Sequence, residues 1–419
     1  MTVVQDTPGS LGSDTTTSAG AVDAAALPEL RGMSLLQQLS LLPSETLEEF
    51  VANNSDVMSD FLASQPSPQD VSQWWALNGM QARSTFLDAA PTLVGNLDGV
   101  PFGQRDYANR RSLVLAESNL APGSSEGRSE LVDATHTRHM LEQVEEALAT
   151  PPGAPTRTLL SLDTSGSGTA SIVIGDLATA DFVSFLVPGM FYTVDGQMVA
   201  WTASAQTLYD TQVEWVAQLA LTDPTLAGAT VATVAWLGYE TPSMVNFTSL
   251  DLAYKGRNAI AASVNGLREL RAGNQPYLSL VAHSYGSTAA MMALTDLGID
   301  VDALAVVGSP GSSAQSADDL GVPGGNVYVG EAAWDQVKDS AFFGSDPGSD
   351  SFGAHVFGVD GRTDPLTGKA LVGSTGHNEY FTPGCESMRN LALIAIGRGY
   401  LITTTDSGST VARSFSGIH

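Results

Sequence analysis

Between residues 28 and 148 apolar side chains recur at the spacing of one helix face. Leu35, Leu36, Leu39, Leu41 and Leu42 form a first cluster, and Leu47, Phe50, Val51, Met58, Phe61 and Leu62 continue the stripe. Ser44 ahead of Glu45 and Glu48 reads as an N-cap followed by acids in the first turn. Further helices are predicted at 69–77, 80–89, 102–115 and 129–149, so this part of the chain reads as all-helical. Thr150-Pro151-Pro152-Gly153-Ala154-Pro155-Thr156 is a cluster of breakers, and beyond it the period changes. Short apolar runs bounded by turn residues occur at 158–162, 170–174, 182–187, 231–236, 277–281, 303–307, 326–329 and 355–359. Helical stretches lie between several of them, at 203–221, 249–271, 287–297 and 386–399. Strands alternating with helices predict an α/β fold, a mostly parallel sheet with helices on both faces. Its first pair reads as an antiparallel hairpin through Ser165-Gly166-Ser167-Gly168. Residues 1–27 are rich in Thr, Ser, Gly, Asp and Ala without hydrophobic period and read as a disordered tail. The expected organisation is that tail, a helical N-terminal domain at 28–150 and an α/β domain at 155–419.

Charge narrows the partners. With 18 Lys+Arg against 45 Asp+Glu, the formal net charge of −27 repels phosphate backbones and anionic membrane surfaces, so nucleic acid is not expected as a partner. The single cysteine, Cys385, rules out an intramolecular disulfide and cysteine-cluster metal sites. The start, Met1-Thr2-Val3-Val4-Gln5-Asp6, has neither a basic nor an apolar signal region, which gives a cytoplasmic expectation with export by a non-Sec route left open. The longest mainly apolar stretch, 391–402, is interrupted by Gly397-Arg398-Gly399 and is too short to span a bilayer.

The chemistry concentrates after the run at 277–281. Ala282-His283-Ser284-Tyr285-Gly286 joins that strand to a helix rich in small residues, the arrangement of a G-x-S-x-G nucleophile elbow with Ala in the first Gly position. Small residues are needed there because the serine sits on a strained strand-to-helix turn. The bland alternative is that Ser284 only caps the following helix. In this fold, the α/β-hydrolase fold, chain order runs nucleophile, acid, histidine. His136, His139 and His283 come too early and His419 ends the sequence, which leaves His377, in a loop after the last strand, ahead of His355, inside a strand-like run. The acid should follow the strand at 326–329, where Asp335 is preferred and Glu331 is the alternative. Oxyanion donors are expected from the backbone N–H of Tyr285 and from that of Met190, just past the turn Pro188-Gly189.

Several segments taken together carry a resemblance. Leu186-Val187-Pro188-Gly189-Met190, residues 231–239 with Pro242, Ala282-His283-Ser284-Tyr285-Gly286-Ser287, Val307-Gly308-Ser309-Pro310-Gly311, and Gly376-His377 with Tyr380 resemble an actinobacterial α/β-hydrolase family formerly catalogued as a domain of unknown function. The resemblance covers roughly residues 158–399. Trp74-Trp75, Pro91, residues 95–101, Arg105 and Ala108-Asn109-Arg110 resemble the helical region that precedes this domain in many members. It implies a serine hydrolase with Ser284 as nucleophile, Asp335 as acid and His377 as base, and no particular substrate.

The expected function is carboxylic-ester hydrolysis through an acyl-enzyme, on a small-molecule ester and without metal or other cofactor. An amidase or peptidase with the same triad is the alternative within hydrolases, and a non-catalytic interaction protein the alternative outside them. Asp163 to Gly168 lacks the lysine of a phosphate-binding loop, and Asp133, His136 and His139 form only a weak metal set. The connection at 307–326 is too short for an inserted lid, so the N-terminal helices, with Trp74 and Trp75, are expected to cover part of the active-site mouth unless both tryptophans are core anchors.

Overall fold

The computed structural model of the protein describes residues 26–120, 128–337 and 342–405. The expected tail therefore lies outside the described residues except for its last two, and Leu27 of these is buried. His419 also lies outside them.

The amphipathic first part folds as α1 (Gly32–Leu39), α2 (Ser44–Asn53), α3 (Ser55–Ala63), α4 (Pro68–Leu77), α5 (Met80–Ala89), α6 (Pro91–Gly95), α7 (Phe102–Asn119) and α8 (Arg128–Leu148). Ser44 does not cap α2; it is the first helical residue, with Pro43 in the cap position, whereas Ser67 caps α4 by accepting from the Asp70 N–H. Leu35, Leu36, Leu39, Leu42, Leu47, Phe50, Phe61, Trp74, Trp75 and Phe86 close into one apolar cluster, while Leu41 of the expected stripe is exposed. Trp74 meets Phe86 edge-on at 5.1 Å and donates its indole N–H to Ser40 Oγ at 2.8 Å. Both tryptophans are thus interior residues of the helical cluster, which corrects the expectation that they shape the mouth of the site.

The second part alternates as predicted: β1 (Arg157–Asp163), β2 (Thr169–Gly175), β3 (Phe182–Val187), α9 (Val194–Leu219), β4 (Val231–Leu237), α10 (Asp251–Leu270), β5 (Tyr277–His283), α11 (Tyr285–Leu297), β6 (Ala303–Val307), β7 (Val327–Gly330), β8 (His355–Phe357) and α12 (Glu386–Ala395). The spatial order is β1-β2-β4-β3-β5-β6-β7-β8. The pairs from β4 to β8 are parallel, while β1 with β2 and β2 with β4 are antiparallel. α8, α9 and α12 cover one face and α10 and α11 the other, so the strand side chains divide between two apolar clusters. On β3, for example, Phe182 and Leu186 enter the first cluster and Val183, Phe185 and Val187 the second. Burial on both faces explains the near-continuous apolar runs in these strands.

An exposed edge strand invites pairing with another chain, and here side chains of the helical part cover β1. Asn96 donates to the Leu162 carbonyl and accepts from its N–H, Asp106 accepts from the Leu159 N–H, and Asn109 donates to the Leu159 carbonyl. The helices therefore brace the sheet at the edge opposite β8. Among the described residues no helix is long and apolar enough to cross a membrane.

Candidate active site

β5 runs into α11 through a single residue, Ser284, at φ 54° and ψ −132°. Among the described residues only Ser284 and Phe191 have positive φ outside glycine, a conformation that costs energy in an L-residue and persists where the surrounding structure enforces it. The tight passage explains the small neighbours: a Cβ on Gly286 would collide with the Pro188 carbonyl, and one on Gly189 would collide with Ser284 itself. Ala282, the departure from the commoner elbow, is fully buried on β5, where its methyl fits. Ser287 anchors the turn by donating to the Ser284 carbonyl at 2.5 Å. Ser284 has no side-chain capping bond to α11.

Its hydroxyl instead faces His377. Ser284 Oγ lies 2.8 Å from Nε2, and His377 Nδ1 lies 2.8 and 2.9 Å from the two oxygens of Asp335. Since Nδ1 faces a carboxylate it carries the proton, which leaves Nε2 to accept from the serine. Asp335 is nearly inaccessible. Burial alone would raise its carboxyl, but hydrogen bonds from His377, the Tyr380 hydroxyl at 2.7 Å and the Val337 N–H at 2.9 Å outweigh it and hold the group below the usual range. Tyr380, itself fully buried, accepts from the Ala332 N–H at 2.8 Å, and burial raises its own phenol. A carboxylate fixed in this way sets the tautomer of the imidazole and favours its protonation during proton transfer.

The structure thus brings Ser284, His377 and Asp335 together. Glu331 lies against Gly348, and His355 sits exposed on β8 with its ring 5.3 Å from Tyr328, so neither alternative takes part in this arrangement. Met190 follows Gly189, which abuts the serine, and Tyr285 opens α11, where the first N–H groups of a helix have no intrahelical partner. His136 pairs with Asp195 at 3.1 Å.

His283 carries a role that sequence reasoning passed over. Buried beneath His377 with ring centroids 4.6 Å apart, it lies with Nε2 2.7 Å from the His377 carbonyl, and its Nδ1 has no partner. The Nε2–H therefore donates to that carbonyl and fixes the backbone of the residue facing the serine. Burial above all, with His377 adding to it, pushes the His283 imidazole down to about 3. The unfolded chain protonates this group near its ordinary value of about 6.5, so its contribution to stability is full above that pH. It is lost as pH falls toward 3, at about 1.4 kcal/mol per unit. Replacing His283 by Gln, which keeps a donor and removes the titration, is expected to shrink the loss of stability between about pH 6.5 and 4.5 by roughly 2–3 kcal/mol. Urea unfolding at the two pH values measures it; an equal loss in both proteins would assign the dependence to other groups.

Residues 163–345 match the sequence model of a family described as Alpha/beta hydrolase. An uncharacterized protein of Mycobacterium tuberculosis is 26% identical over 380 residues, which cover 79% of this chain and 56% of the relative. The chain thus spans little more than half the length of that relative. An uncharacterized protein of Mycobacterium bovis is 28% identical over 221 residues, 49% of this chain and 78% of its own. Among solved structures, an esterase of Rhizomucor miehei matches with a TM-score of 0.36 and 12% identity over 68% of this chain and 95% of the other. The match over residues 163–345 and the mostly parallel sheet between two helix layers give this part of the chain the α/β-hydrolase fold, and the chain is similar to mycobacterial proteins over most of its length.

Proposed function

We propose that the protein is a serine hydrolase that cleaves carboxylic esters through an acyl-enzyme. The observation that carries this reading is the relay from Ser284 Oγ to His377 Nε2 and from His377 Nδ1 to Asp335, built on a strained elbow at the head of a helix. In this reading Ser284 Oγ attacks the ester carbonyl while its proton passes to His377 Nε2, and Asp335 stabilises the imidazolium. The N–H groups of Met190 and Tyr285 hold the oxyanion, the latter at a helix N-terminus that favours negative charge. Collapse of the tetrahedral species expels the alcohol, which takes the proton back from Nε2. Water, deprotonated by the same nitrogen, then releases the acid. No step calls for a metal or an organic cofactor. The helices at 28–150 act in this proposal as a domain that braces the sheet edge of the catalytic domain at 155–419.

Labelling with a fluorophosphonate followed by peptide mapping tests the reading without knowledge of the substrate. An adduct on Ser284 that is absent from His377→Ala is expected, since phosphonylation of Oγ with loss of fluoride needs the same proton transfer. An unlabelled Ser284 in folded protein would remove the proposal. Parallel ester and anilide substrates with one acyl group separate esterase from amidase, and faster ester turnover is expected.

A further inference from the structure

Next to Ser284 begins a row of aromatic rings that the acyl-transfer chemistry does not use. Phe343 meets Tyr285 edge-on at 5.4 Å, Phe342 meets Phe343 at 4.9 Å, and Phe247 faces Phe342 at 6.1 Å. The row becomes more accessible as it leaves the site: Phe342 is 52% exposed, and Met244 and Val245, in the loop that holds Phe247, are 71% and 94% exposed. In the loop after β3, Phe191 is 47% exposed at positive φ, and its N–H donates to the Pro242 carbonyl. That bond joins the loop after β3 to the loop after β4 in one rim. Single exposed apolar residues are ordinary, but a connected series leading away from a reactive serine is a surface with an occupant to explain.

Charge says what the occupant is not. The loops around the serine, at 188–193, 238–250, 308–316, 331–337, 342–352 and 373–384, contain no Lys or Arg, and Lys338 lies outside the described residues. Their ionised side chains are carboxylates, Glu240 and Glu379 among them. Among the described residues of these loops a substrate carboxylate or phosphate would meet carboxylates and no Lys or Arg, and Lys255, on α10 beside them, is already paired with Glu240 at 3.8 Å, whereas an apolar chain would meet hydrocarbon.

We infer that the substrates are neutral esters with an extended apolar acyl group, which lies along the ridge from Phe343 to Phe247. The inference rests on the hydrolase reading above and adds the substrate class to it. The tetrahedral carbon sits at Ser284, the chain leaves past Phe343, and each further methylene covers part of Phe342 and Phe247.

The test is a series of p-nitrophenyl esters from acetate to octanoate on the full chain, with kcat/KM as readout. A chain resting on an open ridge buries about half its surface, so about a twofold gain per methylene is expected in the wild type. In the double variant Phe247→Ala, Phe342→Ala the octanoate-to-acetate ratio is expected to fall about tenfold, while Phe342→Leu keeps most of it. Met80→Ala, a change at an exposed residue of α5, is expected to leave the ratio alone. An octanoyl chain ending in a carboxylate is expected to react at least about tenfold more slowly than octanoate. A flat series in the wild type, an unaltered ratio in the double variant, or faster turnover of the terminal carboxylate would overturn the inference. If Ser284 still takes the fluorophosphonate in such a case, only the apolar ridge falls. If Ser284 is unlabelled and every ester is inert, the hydrolase reading falls and the substrate class with it.

Discussion

Ser284→Ala is expected to lower kcat for an activated ester on the order of 10⁵-fold while KM changes little. The size follows from what is lost. In the proposed mechanism no acyl-enzyme forms without Oγ, and the remaining rate is that of water attacking a carbonyl held by backbone donors. The fold should survive, since the change deletes one oxygen and leaves the turn pinned by Ser287 and by the passage of Gly286 under Pro188. Stability within about 1 kcal/mol of wild type is expected. The partners should form a graded series. Asp335→Asn keeps the volume but no longer enforces the proton on Nδ1, and a loss of about 10⁴-fold is expected. Tyr380→Phe removes one of the hydrogen bonds that hold Asp335 and orphans the Ala332 N–H, for which about tenfold is expected. Steady-state kinetics on one ester reads all three. More than about 1% of wild-type kcat in Ser284→Ala would exclude a covalent route through that residue.

How far the sequence showed this arrangement depends on how local each determinant is. The strands were legible because parallel strands covered on both faces are runs of apolar residues between turns, and each such run corresponds to a strand. Their spatial order was not legible, since β4 lies between β2 and β3 through contacts that no local pattern encodes. The serine stood out because its backbone requires small residues at fixed offsets, which is a property of five consecutive positions. The carboxylate was less local: Asp335 was preferred, but Glu331 also follows β7, and which one meets His377 depends on a turn closed by the Asp335 N–H on the Ala332 carbonyl. The roles of His283 and Tyr380 were hidden for a different reason, because each acts on the backbone or carboxylate of a distant residue. α9 begins at Val194, nine residues before its expected start, since its first turns contain Gly196 while Val194, Met198 and Trp201 supply the buried face. The brace on β1 escaped for the same reason as His283. Asn96, Asp106 and Asn109 are ordinary polar residues until an edge strand is set beside them.

The largest loss of stability is expected at Arg389, on the buried face of α12. Its guanidinium is 3.2 Å from Asp364, donates to the Leu401 carbonyl at 2.7 Å and to Asn390 at 2.8 Å, and lies over Trp215 at 5.1 Å. Both members of the ion pair are almost inaccessible. Burial pulls the guanidinium below its usual range even though Asp364 opposes it, and removing one buried partner leaves the desolvation cost of the other uncompensated. Arg389→Ala would leave Asp364 charged, enclosed and without a counter-ion, and would orphan the Leu401 carbonyl. A destabilisation of about 3–5 kcal/mol is expected from urea unfolding. Lysine is not an adequate replacement, because a single ammonium cannot reach the carboxylate, the amide and the carbonyl together. By contrast, Asp364→Leu with Arg389→Met removes both charges and is expected to recover most of the loss, since no unpaired charge remains buried. Asp364 lies in the loop that leads from β8 to His377, so the pair also ties that loop to the sheet through α12. Activity of Arg389→Ala should therefore fall in parallel with the folded fraction. A loss of less than about 1 kcal/mol would instead show that water reaches the pair and that the loop before His377 is held by other contacts.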